Sequence, residues 1–180
     1  MKKYELFLLV LFLSANFSLA QYSQKPSISL GVGYGDISSN SPNTGAIAFH
    51  FSAAKQFFNL PFNIKADYTY QRDSEFILPM SGSEKIYFSY LQIFDFGAEF
   101  IQPITPYLDF SEHIAYALVN DLVFDGINNW AHGINLSSEL SALRGKSNFW
   151  FSVGINYGLT FTQNRPSFTD FYFKTNYTFN

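Results

Sequence analysis

Ionisable side chains in this 180-residue chain recur at alternate positions between large apolar residues. In a β-strand, alternate side chains point to the same face, so such a pattern collects the ionisable groups on one side. Carboxylates and amines gathered in this way can pair with each other or pass protons along. Nine residues are candidates for such a network: Lys65, Asp67, Asp95, Glu99, Asp109, His113, Glu139, Asp170 and Lys174.

These nine residues are compatible with two kinds of chemistry. A structural network of ion pairs and hydrogen bonds would plug an interior, because an unpaired ion in a confined space is costly to desolvate. The same groups could instead form a path for protons or ions. We favour the structural network, since such networks occur as readily as functional sites.

His50-Phe51-Ser52 is a second candidate. Its spacing puts an imidazole and a hydroxyl on one strand face. The strand pattern points both side chains inward, near one rim. We therefore expect no catalytic site. His113 and His132 are too isolated in the sequence to suggest a metal site, and we expect no cofactor.

The surrounding pattern predicts a closed β-barrel. In Phe149 to Phe161, the odd-numbered residues are large and apolar, whereas the even-numbered residues are mostly Ser, Gly, Asn and Thr. Over the whole chain, 47% of residues are hydrophobic, 20% aromatic and 14% charged, against about a quarter charged in soluble domains. An alternating chain can cross a membrane only as a closed barrel, because no backbone group is then left unpaired.

Eight strands are predicted, and the even number returns the chain to its starting side. The connections after the second, fourth and sixth strands are short, as in the periplasmic turns of such barrels. Glu112 falls on the apolar face, so we expect a bulge or a register error there. The predicted strands are Ser27 to Gly35, Thr44 to Ala54, Phe62 to Gln71, Lys85 to Ile101, Tyr107 to Val119, Ala131 to Leu143, Phe149 to Phe161 and Thr169 to Phe179.

The first 20 residues have the pattern of a secretory signal peptide. Lys2 and Lys3 precede the apolar run from Leu6 to Leu13, and Ser18-Leu19-Ala20 resembles a cleavage site. The expected domains are therefore 1–20, removed on export, and 21–180, the barrel. The chain has no Cys, which excludes disulfides and thiol catalysis, and its net charge of −3 gives no basic patch for nucleic acid.

The chain resembles the small eight-stranded outer-membrane barrels that include the transmembrane domain of OmpA-type proteins. The resemblance rests on 29–35 (SLGVGYG), 105–108 (TPYL), 133–136 (GINL) and the aromatic end 177–179 (YTF). It implies an all-β, antiparallel up-and-down transmembrane barrel in the bacterial outer membrane, with both termini in the periplasm. The implied partners are outer-membrane lipids, lipopolysaccharide and, during biogenesis, the barrel assembly machinery; we expect a monomer.

In this family, aromatic residues form girdles at both membrane interfaces. The expected members are Tyr34, Tyr70, Tyr107 and Trp130, which lie near predicted strand ends. Trp150 also lies near a strand end, but its parity is inward. The longer loops, Arg72 to Glu84 and Asn120 to Trp130, are the expected contact regions, because loops carry recognition.

Two other functions stay open. His50 and Ser52 look similar to the catalytic pair of lipid A deacylase barrels, although Ala53 stands where that family has Asn. The chain is also compatible with a secreted lipocalin-like barrel, in which the apolar parity would face inward around a small ligand. Eight strands leave little room for so many aromatic rings inside, which disfavours this alternative.

Overall fold

The computed structural model describes residues 25–38, 44–56, 60–77, 89–122, 129–144, 147–162 and 166–179. The predicted signal peptide lies outside these residues. One four-residue helix, α1 (Ser74–Ile77), follows the third strand, and no helix in the described ranges is long and apolar enough to span a membrane. The strands are β1 (Ser27–Ser38), β2 (Thr44–Gln56), β3 (Asn63–Asp73), β4 (Tyr90–Thr105), β5 (Leu108–Asp121), β6 (Asn129–Ala142), β7 (Phe149–Thr160) and β8 (Ser167–Thr178).

The eight strands form one closed antiparallel barrel in which each strand pairs with its sequence neighbours and β1 pairs with β8. The stagger of the barrel can be measured by following paired residues once around the sheet. The path begins at Asp73 on β3 and returns to β3 at Asn63, ten residues away, after passing through β2, β1, β8, β7, β6, β5 and β4. This stagger tilts the strands by about 40° and sets a narrow bore.

The alternation in the sequence decides which side chains enter that bore. The small and polar parity lies inside and is buried, whereas the rings of residues such as Phe49, Phe96, Phe151 and Phe171 are exposed on the outer wall. This arrangement is inverted relative to a lipocalin-like barrel, so that alternative is wrong. The outer wall instead presents the apolar band that a barrel needs against hydrocarbon.

We call the end that carries both termini the lower end, and the other the upper end. The lower connections are short, and Pro106–Tyr107 forms a two-residue turn, as the flanking prolines predicted. At the upper end, β1, β3, β5, β6 and β8 extend two or three residues beyond their predicted limits. Arg72, Asn120 and Trp130 therefore lie in strands and not in loops.

The predicted bulge at Glu112 is wrong. Glu112 pairs in regular register with Phe100 and Ser138, and its side chain is half-buried on the outer wall. The register shift between β4 and β5 lies instead between Pro103 and Thr105. Proline cannot donate to the ladder, which accounts for an irregularity at this position. The predicted start of β4 at Lys85 falls outside the described residues.

Candidate functional site

Lys65 is the hub of a charged network in the lower half of the bore. Its Nζ lies 3.5 Å from Glu99 Oε1 and 3.9 Å from both Asp67 Oδ2 and Glu139 Oε2. Glu99 also accepts from Asn63 Nδ2 at 2.9 Å and from Arg144 NH2 at 3.1 Å. Three carboxylates thus share one ammonium group, and a guanidinium closes the network from below.

Asp67 connects this hub to the opposite wall of the barrel. Its Oδ1 lies 3.5 Å from Lys174 Nζ, and its Oδ2 lies 3.3 Å from His113 Nδ1. Lys174 also donates to Ser52 Oγ at 3.3 Å, while its Nζ lies 4.3 Å from the centre of the Tyr172 ring. All these groups are buried, so each charge depends on its neighbours for the solvation that water would otherwise supply.

His50 lies in the middle of β2 and makes a separate contact higher in the bore. Its Nε2 is 3.0 Å from Asp170 Oδ1, and its Nδ1 is 3.0 Å from Thr69 Oγ1. Asn156 Nδ2 donates to the other Asp170 oxygen at 3.4 Å. Ser52 bonds instead to Ser29 Oγ at 2.7 Å, so His50 and Ser52 do not form the nucleophile and base pair of a hydrolase. The predicted inward orientation of both side chains is correct.

Two of the nine candidate residues lie apart from these clusters. Asp95 is buried beside Asn135, whose Nδ2 donates to Asp95 Oδ2 at 2.5 Å. Asp109 is half-buried near the lower rim and makes no hydrogen bond or ion pair with the other eight. The network also contains groups that the sequence did not single out, chiefly Arg144, which lies in a turn, and Tyr172, whose hydroxyl donates to Glu139 Oε2 at 3.1 Å.

Above the charged network lies a cluster of eight buried apolar residues, which we call the outer cap. The largest is Phe168, which is only 1% exposed. The buried side chains of Gln71, Asp73 and Asp121 lie at the same level as this cluster. The sequence did not predict this layer, because Ile37 and Phe168 fall just outside the predicted strands. Its members are Ile37, Ala46, Leu91, Ile93, Ala117, Val119, Ala131 and Phe168.

The lower mouth of the bore is polar and partly open. A small pocket at this end is lined by residues that include Lys65, Glu99, Arg144 and Trp150. Trp150 is buried, as expected from its place among the inward-facing residues of β7. Its Nε1 donates to Thr178 Oγ1 at 3.0 Å, and the Arg144 guanidinium lies 4.5 Å from the centre of its ring. Charged groups therefore reach the lower end of the bore, but an apolar layer separates them from the upper end.

The four predicted girdle residues lie on the outer wall or at its edges. Tyr34 and Trp130 are exposed near the upper end, and Tyr107 is exposed on the lower turn. Tyr70 is half-buried near the upper end, where its hydroxyl accepts from Arg72 NH1 at 3.2 Å. Trp130 also stacks on Phe94, with ring centres 6.3 Å apart.

The described residues offer no cluster for a transition metal. No three His, Asp or Glu side chains among them come close enough together to hold one. What the interior does provide is a set of paired charges, closed above and accessible from below.

A closed eight-stranded barrel with an apolar outer wall and a polar interior defines the fold of the small eight-stranded outer-membrane barrels. No protein-family model and no curated protein sequence matches the chain. Solved structures match its fold. Neisserial surface protein A aligns with a TM-score of 0.69 and 12% identity, over 86% of this chain and 97% of its own.

The attachment invasion locus protein Ail of Yersinia pestis aligns with a TM-score of 0.53 and 11% identity, over 87% of this chain and 99% of its own. Ail in complex with the heparin analogue sucrose octasulfate aligns with a TM-score of 0.52 and the same identity and coverage. At these identities the likeness concerns the fold.

Proposed function

We propose that this protein is an integral protein of a bacterial outer membrane, with its lower end in the periplasm and its upper end at the cell surface. The observation that carries the proposal is the closed sheet, whose exposed outer wall is rich in Phe, Tyr, Leu, Ile and Val. In hydrocarbon, a sheet must close because edge groups have no water to bond. The surrounding partners would be lipids and, in the outer leaflet, lipopolysaccharide.

We further propose that the bore does not conduct. Two features support this: the outer cap is a cluster of buried apolar side chains in the upper part of the bore, and ion pairs around Lys65 and Asp67 occupy the lower part. An ion crossing the barrel would have to displace both layers. In planar bilayers, the purified protein should give no reproducible current steps, and ion-selective steps would contradict a closed bore.

The role of such a barrel would then lie in its upper connections. The segments between the upper strand ends, 39–43, 74–89, 122–128 and 161–166, together carry three acidic and two basic side chains. This balance offers no cluster of positive charge for a sulfated polyanion such as the heparin analogue bound to Ail. We propose a neutral or cationic partner. Binding to immobilised heparin at physiological salt should be absent, and retention there would contradict this.

The geometry does not favour acyl hydrolysis. His50 and Ser52 are both buried in the bore and bond to different partners, Asp170 and Ser29. A lipid acyl chain on the outer wall has no route to either side chain. Incubation with lipopolysaccharide should release no fatty acid; release that disappears in His50→Ala would revive the hydrolase hypothesis.

The main test of the proposal combines location with barrel closure. The protein should fractionate with outer membranes and migrate faster on gels before heating than after, because a closed barrel resists detergent unfolding at room temperature. Recovery in the soluble periplasmic fraction, without a heat-dependent shift, would contradict the proposal.

A further inference from the structure

Asp95 is a buried carboxylate that forms no ion pair within 4 Å in the described part of the chain. It is only 4% exposed. Its Oδ2 accepts from Asn135 Nδ2, but its Oδ1 has no hydrogen-bond donor. A buried acceptor left without a donor is costly, and an uncompensated buried charge more so.

Asn135 presents a second acceptor in the same place. It is 2% exposed, and its Oδ1 also lacks a donor, although its Nδ2 is bonded to Asp95. The hydrogen bond between Asn135 Nδ2 and Asp95 Oδ2 holds the two side chains next to each other in the bore. Of the two unpaired oxygens, one is a carboxylate oxygen and one an amide oxygen, and both are hard ligands that suit alkali and alkaline-earth cations.

The neighbouring charges increase the demand for a cation at this position. Asp67 is the direct register partner of Asp95, and both side chains point inward, so two carboxylates stand on adjacent strands with Cβ atoms about 5 Å apart. Asp67 is compensated by Lys65, Lys174 and His113, whereas Asp95 is not.

A charge count of the bore gives the same result. Below the outer cap, excluding Asp109 at the rim, the described bore holds five carboxylates and three permanent cations. The carboxylates are those of Asp67, Asp95, Glu99, Glu139 and Asp170, and the cations are Lys65, Lys174 and Arg144. The carboxylates in this region therefore outnumber the permanent cations by two.

We propose that Asp95 and Asn135 bind a small, partly hydrated monovalent cation such as Na⁺ inside the barrel. The ligands from the chain are Asp95 Oδ1 and Asn135 Oδ1, and water completes the shell. One carboxylate with an amide oxygen, near Lys65 and Lys174, suits a single positive charge better than a divalent ion. The outer cap closes the site from above, so the ion enters from the lower end or is enclosed during folding.

The test compares refolded barrels in two salts of equal ionic strength. Protein is refolded from urea into detergent in 150 mM NaCl or 150 mM choline chloride, and the midpoint of thermal unfolding is read from heat-modifiable gel mobility. Because a ligand that binds only the folded state raises its stability, we expect Na⁺ to raise the midpoint by about 3 °C. Choline is too large to enter.

The Asp95→Asn variant preserves the shape of the side chain and removes its charge, so the Na⁺-dependent shift should disappear while the barrel still folds. Asn135→Ser is the second variant, and it should reduce the shift without changing any charge. Asn176→Ser, at the lower end of the bore, is the control and should keep the full shift. Equal midpoints of the wild type in both salts would overturn the proposal and indicate a proton only. An equal Na⁺ effect in Asp95→Asn would also overturn it, since that effect would be general screening.

Discussion

Asp170 Oδ1 and His50 Nε2 lie 3.0 Å apart across the bore between β8 and β2, strands that are not neighbours in the sheet. The contact passes over β1, where Gly33 leaves the necessary space: a Cβ at Gly33 would lie 3.0 Å from Asp170 Oδ1 and 3.1 Å from His50 Nε2. The absence of a side chain at Gly33 therefore allows Asp170 and His50 to come into contact over β1.

Asp170→Ala should destabilise the barrel. The change leaves the buried amide of Asn156 without its acceptor and removes the 3.0 Å contact of the carboxylate with His50 Nε2, which costs about 1–3 kcal/mol. The measurement is the free energy of unfolding in urea, with protein refolded into detergent. Asp36→Ala is the matched control, because Asp36 is exposed at the upper end of β1, and it should change stability by less than about 0.5 kcal/mol. Equal effects of the two variants would contradict a specific role for Asp170.

Gly158→Ala should clash with the outer cap. A Cβ at Gly158 would overlap the ring of Phe168, which has no free space in the cap. Overpacking of this kind costs about 1–3 kcal/mol in unfolding free energy. Adding Phe168→Leu to this variant should recover part of the lost stability. A double-mutant cycle should therefore give a favourable coupling energy between the two substitutions. Simple addition of the two single effects would contradict the contact.

Lys65→Met should destabilise the barrel more than any other single removal of charge. It leaves Asp67, Glu99 and Glu139 without their shared ammonium group, and breaking a buried ion pair in this way costs about 3–5 kcal/mol. Lys55→Met, on the exposed lower part of β2, is the control and should cost at most about 1 kcal/mol. Urea unfolding measures both, and similar midpoints would argue against a hub at Lys65.

The two tryptophans should report opposite faces of the wall. Trp130 is exposed on the outside, and Trp150 is buried in the bore. In vesicles that contain brominated lipids, fluorescence quenching should be lost in Trp130→Phe and retained in Trp150→Phe. The reverse result would mean that the outer wall does not face lipid.

The strand count and the facing of the side chains could be predicted because alternation is a local property. Phe149–Thr160 shows it clearly, and its apolar parity lies outside. The partners of each charge could not be predicted, because the stagger of the closed sheet decides them. Lys65 on β3 meets Glu139 on β6 only because of this stagger.

The role of Arg144 was missed because this residue lies in a turn, where the strand alternation does not predict which way a side chain points. Leu91 and Ile93 were missed because apolar residues occupy both faces at the start of β4, so the pattern does not separate inside from outside. Glu112 was misread for a related reason: a single polar residue on the apolar parity predicted an irregular strand, whereas the register continues through it.

The outer cap lies between the upper connections and the ion pairs below. Because Ile37, Leu91 and Phe168 are buried in this layer, we expect insertions between the upper strand ends to leave the ion pairs around Lys65 undisturbed. The upper connections should therefore accept changes in length and sequence more readily than the lower turns, where Arg144 belongs to the charged network.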